Sequence, residues 1–396
     1  MPRVICPRCT KAETIQKSGI VRKKQRFYCK DCNFHFTLHH ECIKTKKKQK
    51  LNTSTQTSLS DIAKAIGVSV STVSRALNDH PDISDKTRNA VKKIAAELAY
   101  EPNALALSLV TRSTHTLGVI IPNLQTTFFA TMLSGIQHVA SQAGFRVVIC
   151  QSDDLHQTEV ANVQALMNNM IDGLLLCHSL QTSTFDHIKM QLKRNIPIVQ
   201  FYRATMDVET PRVFCEDEEG AFQVTTHLLE KGCRQIGLLL GPPHLMISQK
   251  RLKGYQKALK KFKIPFNAGL ISNVDFSMGE VMSSVDVWLK QPVPVDAIFS
   301  ISDKSAVQVI QYLKKQQIKV PETVCVAGFG NEYTGEIIEP QLTTFDVRTA
   351  QIGEAAAKLL LDKIIGQNNS SENITVKGNL IVRESSSKVQ PLKSLP

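Results

Sequence analysis

The chain has 396 residues, 42% hydrophobic and 21% charged, a balance that supplies a sizeable core for two or three domains and excludes a wholly disordered or collagen-like polymer. No apolar stretch reaches the roughly 18–20 residues that span a bilayer, and the opening MPRVICPRCTK lacks a signal segment's apolar run, so a cytoplasmic protein with no membrane insertion is expected. The net charge of +13 is concentrated: residues 1–58 carry 14 Lys and Arg against 3 Asp and Glu, while 59–115 and 116–396 are each close to neutral. A basic arm on a neutral body points to a polyanion, nucleic acid before an anionic membrane surface.

Five of the ten cysteines lie in the first 42 residues. Cys6-Pro-Arg-Cys9 and Cys29-Lys-Asp-Cys32 form two C-x2-C pairs 19 residues apart, the spacing of a structural Zn²⁺ site in which two turns each aim two thiolates at one point. A segment of 1–42 buries too little to fold unaided, so metal would supply most of its folding free energy. Two disulfides are the alternative, and a chain without a secretion signal argues against them. Four thiolates already close such a site, leaving His35, His39, His40 and Cys42 as bystanders. CPRC…KSGIVRKKQRFYCKDCNFHF, about residues 4–38, resembles the amino-terminal zinc ribbon of insertion-element transposases. The resemblance implies nucleic-acid contact and leaves protein binding open. Arg22, Lys23, Lys24 and Arg26 are the candidate phosphate contacts. Residues 43–58, lysine-rich and then Ser/Thr/Gln-rich, read as a linker.

Residues 59–101 predict three short helices. Ile62, Ala63 and Ile66 share a face of the first, Gly67 suits a turn, and Ser69 is placed to cap the second, whose Val73, Ala76 and Leu77 turn inward. Val70, Ser71, Ser74 and Arg75 are then left outside. A third helix follows Ser84 with Val91, Ile94, Ala95 and Leu98 inward. A small-polar exposed face beyond a glycine turn describes a helix-turn-helix that reads the major groove.

LSDIAKAIGVSVSTVSRALN, ISDKTRNAVKKIAAELAYEPN and LGVIIPN resemble the lactose-repressor (LacI) family of bacterial transcription regulators, with similarity from about Leu59 to Glu384. By this resemblance Val70, Ser71 and Arg75 contact base edges, Arg75 able to fork two donors to a guanine. Ser69 and Thr72 set register as phosphate or capping residues, and Asn78 contacts backbone. Residues 102–115 match the family's hinge: Pro102 opens a short helix and Leu109 is the minor-groove wedge. Leu107 stands where many relatives carry arginine.

From 116 to 385 the runs LGVIIP, FRVVIC, DGLLLC, IPIVQF, QIGLLLG, DAIFSI and TVCVAGFG alternate with helical stretches. They predict parallel sheets covered on both faces, and there are too many units for one compact sheet. Cys150, Cys177 and Cys325 sit in such runs and read as core thiols. The fold class expected is therefore multidomain: a small four-cysteine zinc ribbon, an all-α helix-turn-helix domain and a two-lobed α/β, periplasmic-binding-protein-like sensor, ending in a flexible tail, 386–396. Family resemblance places the amino lobe from about 117, the carboxyl lobe from about 216 and a return crossing near 342–345. It also assigns effector contacts: Arg251 gripping hydroxyls or an anion, Asp303 accepting hydrogen bonds, Phe276 stacking on a ring, and Phe128 or Phe129 lining the cleft. A surface Arg251–Asp303 salt bridge is the alternative.

Three departures from the family pattern bear on the ligand. Thr126-Thr127 replaces Asn-Pro before Phe128, Tyr202 replaces a frequent aspartate, and Gly330 replaces another. Fewer acids imply a ligand larger or less hydroxylated than a monosaccharide. No G-x-S-x-G, G-x-G-x-x-G or Walker pattern occurs, so catalysis is not expected. The whole predicts a homodimeric or larger transcriptional regulator, a repressor, that binds a palindromic operator in duplex DNA under control of a small-molecule effector, a sugar or related metabolite. The alternative is an effector-sensing adaptor whose ribbon recruits a protein.

Overall fold

A computed structural model describes residues 4, 6–9, 14–21, 24–37, 57–101, 113–366 and 373–388, which fall in two compact units divided at Asn103/Ala104. Outside the described residues lie Arg22, Lys23, His39, His40, Cys42, the linker up to Gln56, and the hinge from Pro102 through Leu107 and Leu109.

In the first unit β1 (Ile15–Val21), β2 (Lys24–Cys29) and β3 (Phe34–Thr37) form an antiparallel sheet with β2 in the middle. Its small core is Cys6, Phe27, Cys29 and Phe36. Helices α1 (Leu59–Ile66), α2 (Val70–Leu77) and α3 (Asp85–Glu97) follow. The Asp61 carboxylate accepts the Ser58 backbone N–H at 3.0 Å, closing the start of α1, and Gly67 ends that helix at φ +73°, where a side chain would be strained. Ser69 and Ser84 accept the Thr72 and Thr87 N–H groups as caps of α2 and α3. Ile62, Ala63, Val73, Ala76, Val91 and Ala95 make the shared core, with Ile66, Leu77 and Ile94 packed at its edge. Leu98, expected inward, is 39% exposed, because α3 stops at Glu97 and leaves it at the cap.

The second unit holds two lobes. The amino lobe's sheet runs β14 (Asn373–Val376), β8 (Arg212–Cys215), β7 (Ile198–Phe201), β6 (Gly173–Leu176), β4 (Thr116–Ile121), β5 (Arg146–Gln151), parallel throughout. The carboxyl lobe's runs β10 (Ile271–Asn273), β9 (Ile236–Leu240), β11 (Ala297–Ser300), β12 (Cys325–Phe329), β13 (Thr343–Asp346), β15 (Asn379–Ile381), parallel except for the β13–β15 pair. The chain crosses between lobes after β8, again after β13, and a third time between β14 and β15, a crossing that the apolar runs do not announce.

Two further expectations change. β5 is an edge strand, so Val148 and Ile149 are 41% and 42% exposed and Cys150 is only half-buried, although its apolar run matches that of an interior strand. The expected tail begins too early, since the chain is packed through 386: Ser386 is fully buried, its hydroxyl bonded to His227 at 2.7 Å and Thr343 at 2.6 Å, and residues 389–396 lie outside the described residues. In the carboxyl lobe α7 (Asp217–Glu230) lies on α8 (Met246–Lys261), so close that a Cβ at Gly254 would collide with the Glu218 carbonyl oxygen. That approach sets the height of α8, and with it Arg251, against Asp217.

Candidate functional site

Parallel strands leave their carboxyl ends at one edge of each sheet, and here those edges face one another across the two lobes. Between them is a cavity of about 120 Å³. Its amino-lobe wall holds Phe128 and Phe129, at the start of α4 (Thr127–Gln142), with Tyr202, Asp154 and Arg203. Its carboxyl-lobe wall holds Arg251, Phe276, Lys304 and Glu332.

Arg251 has no solvent exposure. Its Nε and Nη2 reach one oxygen of Asp217 at 2.9 and 2.8 Å, its Nη1 donates to the Ile301 carbonyl at 2.8 Å, and the guanidinium stacks 3.8 Å from the Phe329 ring centroid. Burial alone would loosen its proton, but Tyr202 and Asp217 outweigh that and hold it more firmly than in water. Burial pushes the Tyr202 hydroxyl up to about 12, and its oxygen accepts from Arg251 Nη2 at 3.4 Å. Phe128 meets Tyr202 at 4.8 Å and Phe129 edge-on at 5.3 Å, giving an aromatic corner. Tyr202 (φ +59°) and Phe276 (φ +64°) both adopt the left-handed backbone region, a strained choice that turns two aromatic side chains to the cavity.

Phe128, Arg251 and Phe276 thus come together as the family resemblance implies. Asp303 does not join them on the cavity wall. It is buried at the start of α10 (Asp303–Lys315), accepting from the Thr344 hydroxyl at 2.7 Å and the Glu332 N–H at 2.8 Å, and it makes no pair with Arg251. Burial raises its pKa to about 6, against the lowering effect of those donors.

The acids missing from the family pattern are present by another route. Asp154, Asp275 and Glu332 line the cavity. Asp154 pairs with Arg203, and burial, assisted by the Asp303 charge, raises Glu332 to about 7. Three cavity residues also carry a polar atom with no hydrogen-bond partner among the described residues: Asn123 Oδ1, Ser248 Oγ and Arg203 Nε. No spacing rule identifies these groups, since Ser248 arrives on the first turn of α8 and the others on separate strand ends or loops.

On α2 the exposed face carries Val70, Ser71 and Arg75, with Ser69 at the cap. Thr72 is half-buried and its hydroxyl shares a 2.8 Å hydrogen bond with Ser69, while Asn78 returns its amide to the Ser74 carbonyl at 2.9 Å. Arg75 has room to reach outward, as base readout requires. The other cluster is four thiols that form no disulfide: Cys6, Cys9, Cys29 and Cys32 lie with all sulfurs within 4.8 Å of one another. Cys6–Cys32 and Cys9–Cys29 are 3.5 Å apart, close to the edge of about 3.8 Å that a tetrahedron of Zn–S bonds implies.

A helix-turn-helix with an outward arginine and a two-lobed receptor with a polar, aromatic-lined cleft define a ligand-controlled DNA-binding protein. Residues 58–103 match the bacterial regulatory proteins of the lacI family, and residues 114–384 match the periplasmic binding proteins and sugar binding domain of the LacI family. The HTH-type transcriptional repressor CytR of Escherichia coli strain K12 is 31% identical over 344 residues, covering 87% of this chain and 98% of CytR. The ribose operon repressor of Halalkalibacterium halodurans is 29% identical, covering 83% and 96%. Among solved structures, the transcriptional regulator CelR–cellobiose complex superposes with a TM-score of 0.64 at 28% identity, covering 83% of this chain and 99% of CelR. The lac repressor dimer bound to operator gives a TM-score of 0.73 at 24% identity over 83% and 99%, an agreement of fold. The chain belongs to the LacI family: it is a DNA-binding transcriptional regulator controlled by a small-molecule effector, and not an enzyme. Among the described residues no helix is long and apolar enough to cross a membrane.

Proposed function

We propose that the protein is a cytoplasmic, homodimeric repressor that holds a palindromic operator until a sugar or sugar-bearing metabolite enters the interlobe cleft. The observation that carries this is the cleft itself: buried Arg251, the Phe128–Tyr202–Phe276 aromatics and the unpartnered Asn123 and Ser248 oxygens converge on one cavity. A few fixed polar groups among aromatic faces suit a ring that carries hydroxyls. Arg251 and Phe276 would grip and stack the ligand, Phe128 would close it from the amino lobe, and Asp303 would act through Glu332 and Thr344. CytR is a repressor, the ribose operon repressor is tied to a sugar operon, and CelR holds cellobiose, which supports the same ligand class here.

One short recognition helix binds weakly, so a two-fold pair is required. Val70, Ser71 and Arg75 would read base edges, Ser69, Thr72 and Asn78 would set register on the backbone, and Leu109 would supply the wedge. The four thiols fit Zn²⁺ in number, softness and spacing, and Cys6, Cys9, Cys29 and Cys32 would hold it as a structural ion within a ribbon over 1–42. Selection of duplexes from a randomised pool tests the DNA-binding reading: wild type should enrich a palindrome and Arg75→Ala should lose preference at one base pair of each half-site. No enrichment by wild type refutes it. Zinc analysis of protein prepared without chelator should give one ion per chain, and none would dispose of the metal site.

A further inference from the structure

Beside the effector cavity, the amino lobe contains a polar cluster that the regulator's proposed contacts do not use. Glu159, in the first turn of α5 (His156–Asn168), has no solvent exposure. Both its oxygens are filled. Oε1 faces His178 Nδ1 at 2.9 Å and His187 Nε2 at 3.0 Å, the latter on α6 (Asp186–Leu192). Oε2 accepts the Ser179 N–H at 2.6 Å and the Thr182 hydroxyl at 2.9 Å. Burial works against its charge, yet the two histidines and the Ser179 N–H outweigh it and hold the carboxyl well below the usual range.

The other side of His178 is held as well. Its Nε2 lies 2.9 Å from Gln200 Oε1, and that amide is oriented by the Thr205 N–H, which donates to the same oxygen at 2.8 Å. Both ring nitrogens of a histidine that is 2% exposed therefore face side-chain oxygens, Glu159 on one side and Gln200 on the other, which fixes the ring between α5 and β7. The titratable and charged groups around this pair are His187, His156 with its ring centroid 5.5 Å from that of His187, and the Asp154–Arg203 pair, whose arginine also approaches the His178 carbonyl at 3.4 Å.

What the cluster holds is the segment 177–182, which leaves β6 and forms a rim of the cleft. Leu180 receives no bond from Glu159; its N–H goes to Asp154 at 3.0 Å, and its side chain packs with Leu245 and Ile247 of the opposite lobe. Its carbonyl accepts His244 Nε2–H from that lobe at 2.9 Å. We propose that Glu159, His178 and His187 are positioning residues that lock segment 177–182 as the amino lobe's half of an interlobe latch, closed by Leu180 on His244, Leu245 and Ile247. Its consequence for effector response rests on the cleft being the effector pocket; the latch itself does not.

Hydrogen exchange of the full-length protein without ligand, followed by mass spectrometry, reads both halves. Glu159→Gln should raise exchange roughly tenfold or more in peptides covering 177–183 and also in those covering 240–250, the scale of a lost hydrogen bond to a charged group. Loosening confined to the amino lobe, with 240–250 unchanged, overturns the latch. Should Glu159→Gln expose the whole amino-lobe sheet, Leu180→Ala decides alone. Unaltered protection of 240–250 in Leu180→Ala removes the latch, and faster exchange there supports it. Failure of every sugar to bind, with the latch signature intact, would count only against the effector reading.

Discussion

Recognition helix α2 and the interlobe cleft hold their chemistry in opposite ways. On α2 the groups assigned to DNA stand outward, and the helix is secured from behind by Val73 and Ala76 and from its end by Ser69. At the cleft wall and just behind it, Arg251, Asp217, Asp303 and Glu159 are buried, Arg251 paired with Asp217 and the other two carboxylates bonded to Thr344 and to the Ser179 N–H. The difference teaches that a surface reader can change its side chains with little cost to folding, whereas a buried receptor couples ligand contacts to stability.

That contrast can be broken by mutation, and the largest expected effect is in the cleft. Arg251→Ala leaves Asp217 buried without its cation, so chemical unfolding of the second unit should weaken by roughly 3–5 kcal/mol. Operator affinity without effector should persist, and effector response should vanish. A loss below about 1 kcal/mol would show that water repairs the site and that the pair is not closed.

A smaller effect follows from the raised acids. Glu332, at about 7, and Asp303, at about 6, bind protons more readily folded than unfolded. Their contribution is complete near pH 4 and is lost as pH rises through 6–7. Glu332→Gln should flatten the decline in unfolding free energy between pH 5 and pH 8, by an amount on the order of 2 kcal/mol, measured by chemical denaturation across that range. An unchanged pH profile would remove Glu332 from the linkage.

Smaller again is the cap: Ser69→Ala should cost about 0.5–2 kcal/mol of helix-turn-helix stability in thermal melts. Smallest in stability is Arg75→Ala, expected within about 0.5 kcal/mol, although it should cost roughly 1–3 kcal/mol of base discrimination in a competition assay. Equal losses of stability at Arg75 and Arg251 would erase the contrast between the two regions.

The same contrast explains what can be read from residues alone. The helix-turn-helix is legible because its determinants are local: Gly67, the caps at Ser69 and Ser84, and an apolar face repeating at helical spacing. The strand runs are legible too, but not their exposure, since β5 is open only because sheet order leaves it at the edge. Arg251, Phe276 and Phe128 follow from family resemblance, whereas Asp154 and Glu332 do not, because topology rather than spacing brings them to the cavity. Tyr202 reads in sequence as a lost acceptor, and the structure shows why that loss is local: acids enter from other strand ends. Asp303 sits in the expected lobe, but Thr344, 41 residues away, takes its oxygen. The Glu159 cluster joins α5, the end of β6, α6 and β7, and no sequence window contains it.

The most direct test of coupled control is operator affinity measured with and without the sugar or sugar-bearing metabolite that most raises the protein's melting temperature. Saturating ligand should change operator affinity by roughly 5–150-fold, and saturating operator should change ligand affinity by the same factor. A ligand that occupies the cleft while operator affinity stays constant would contradict the account.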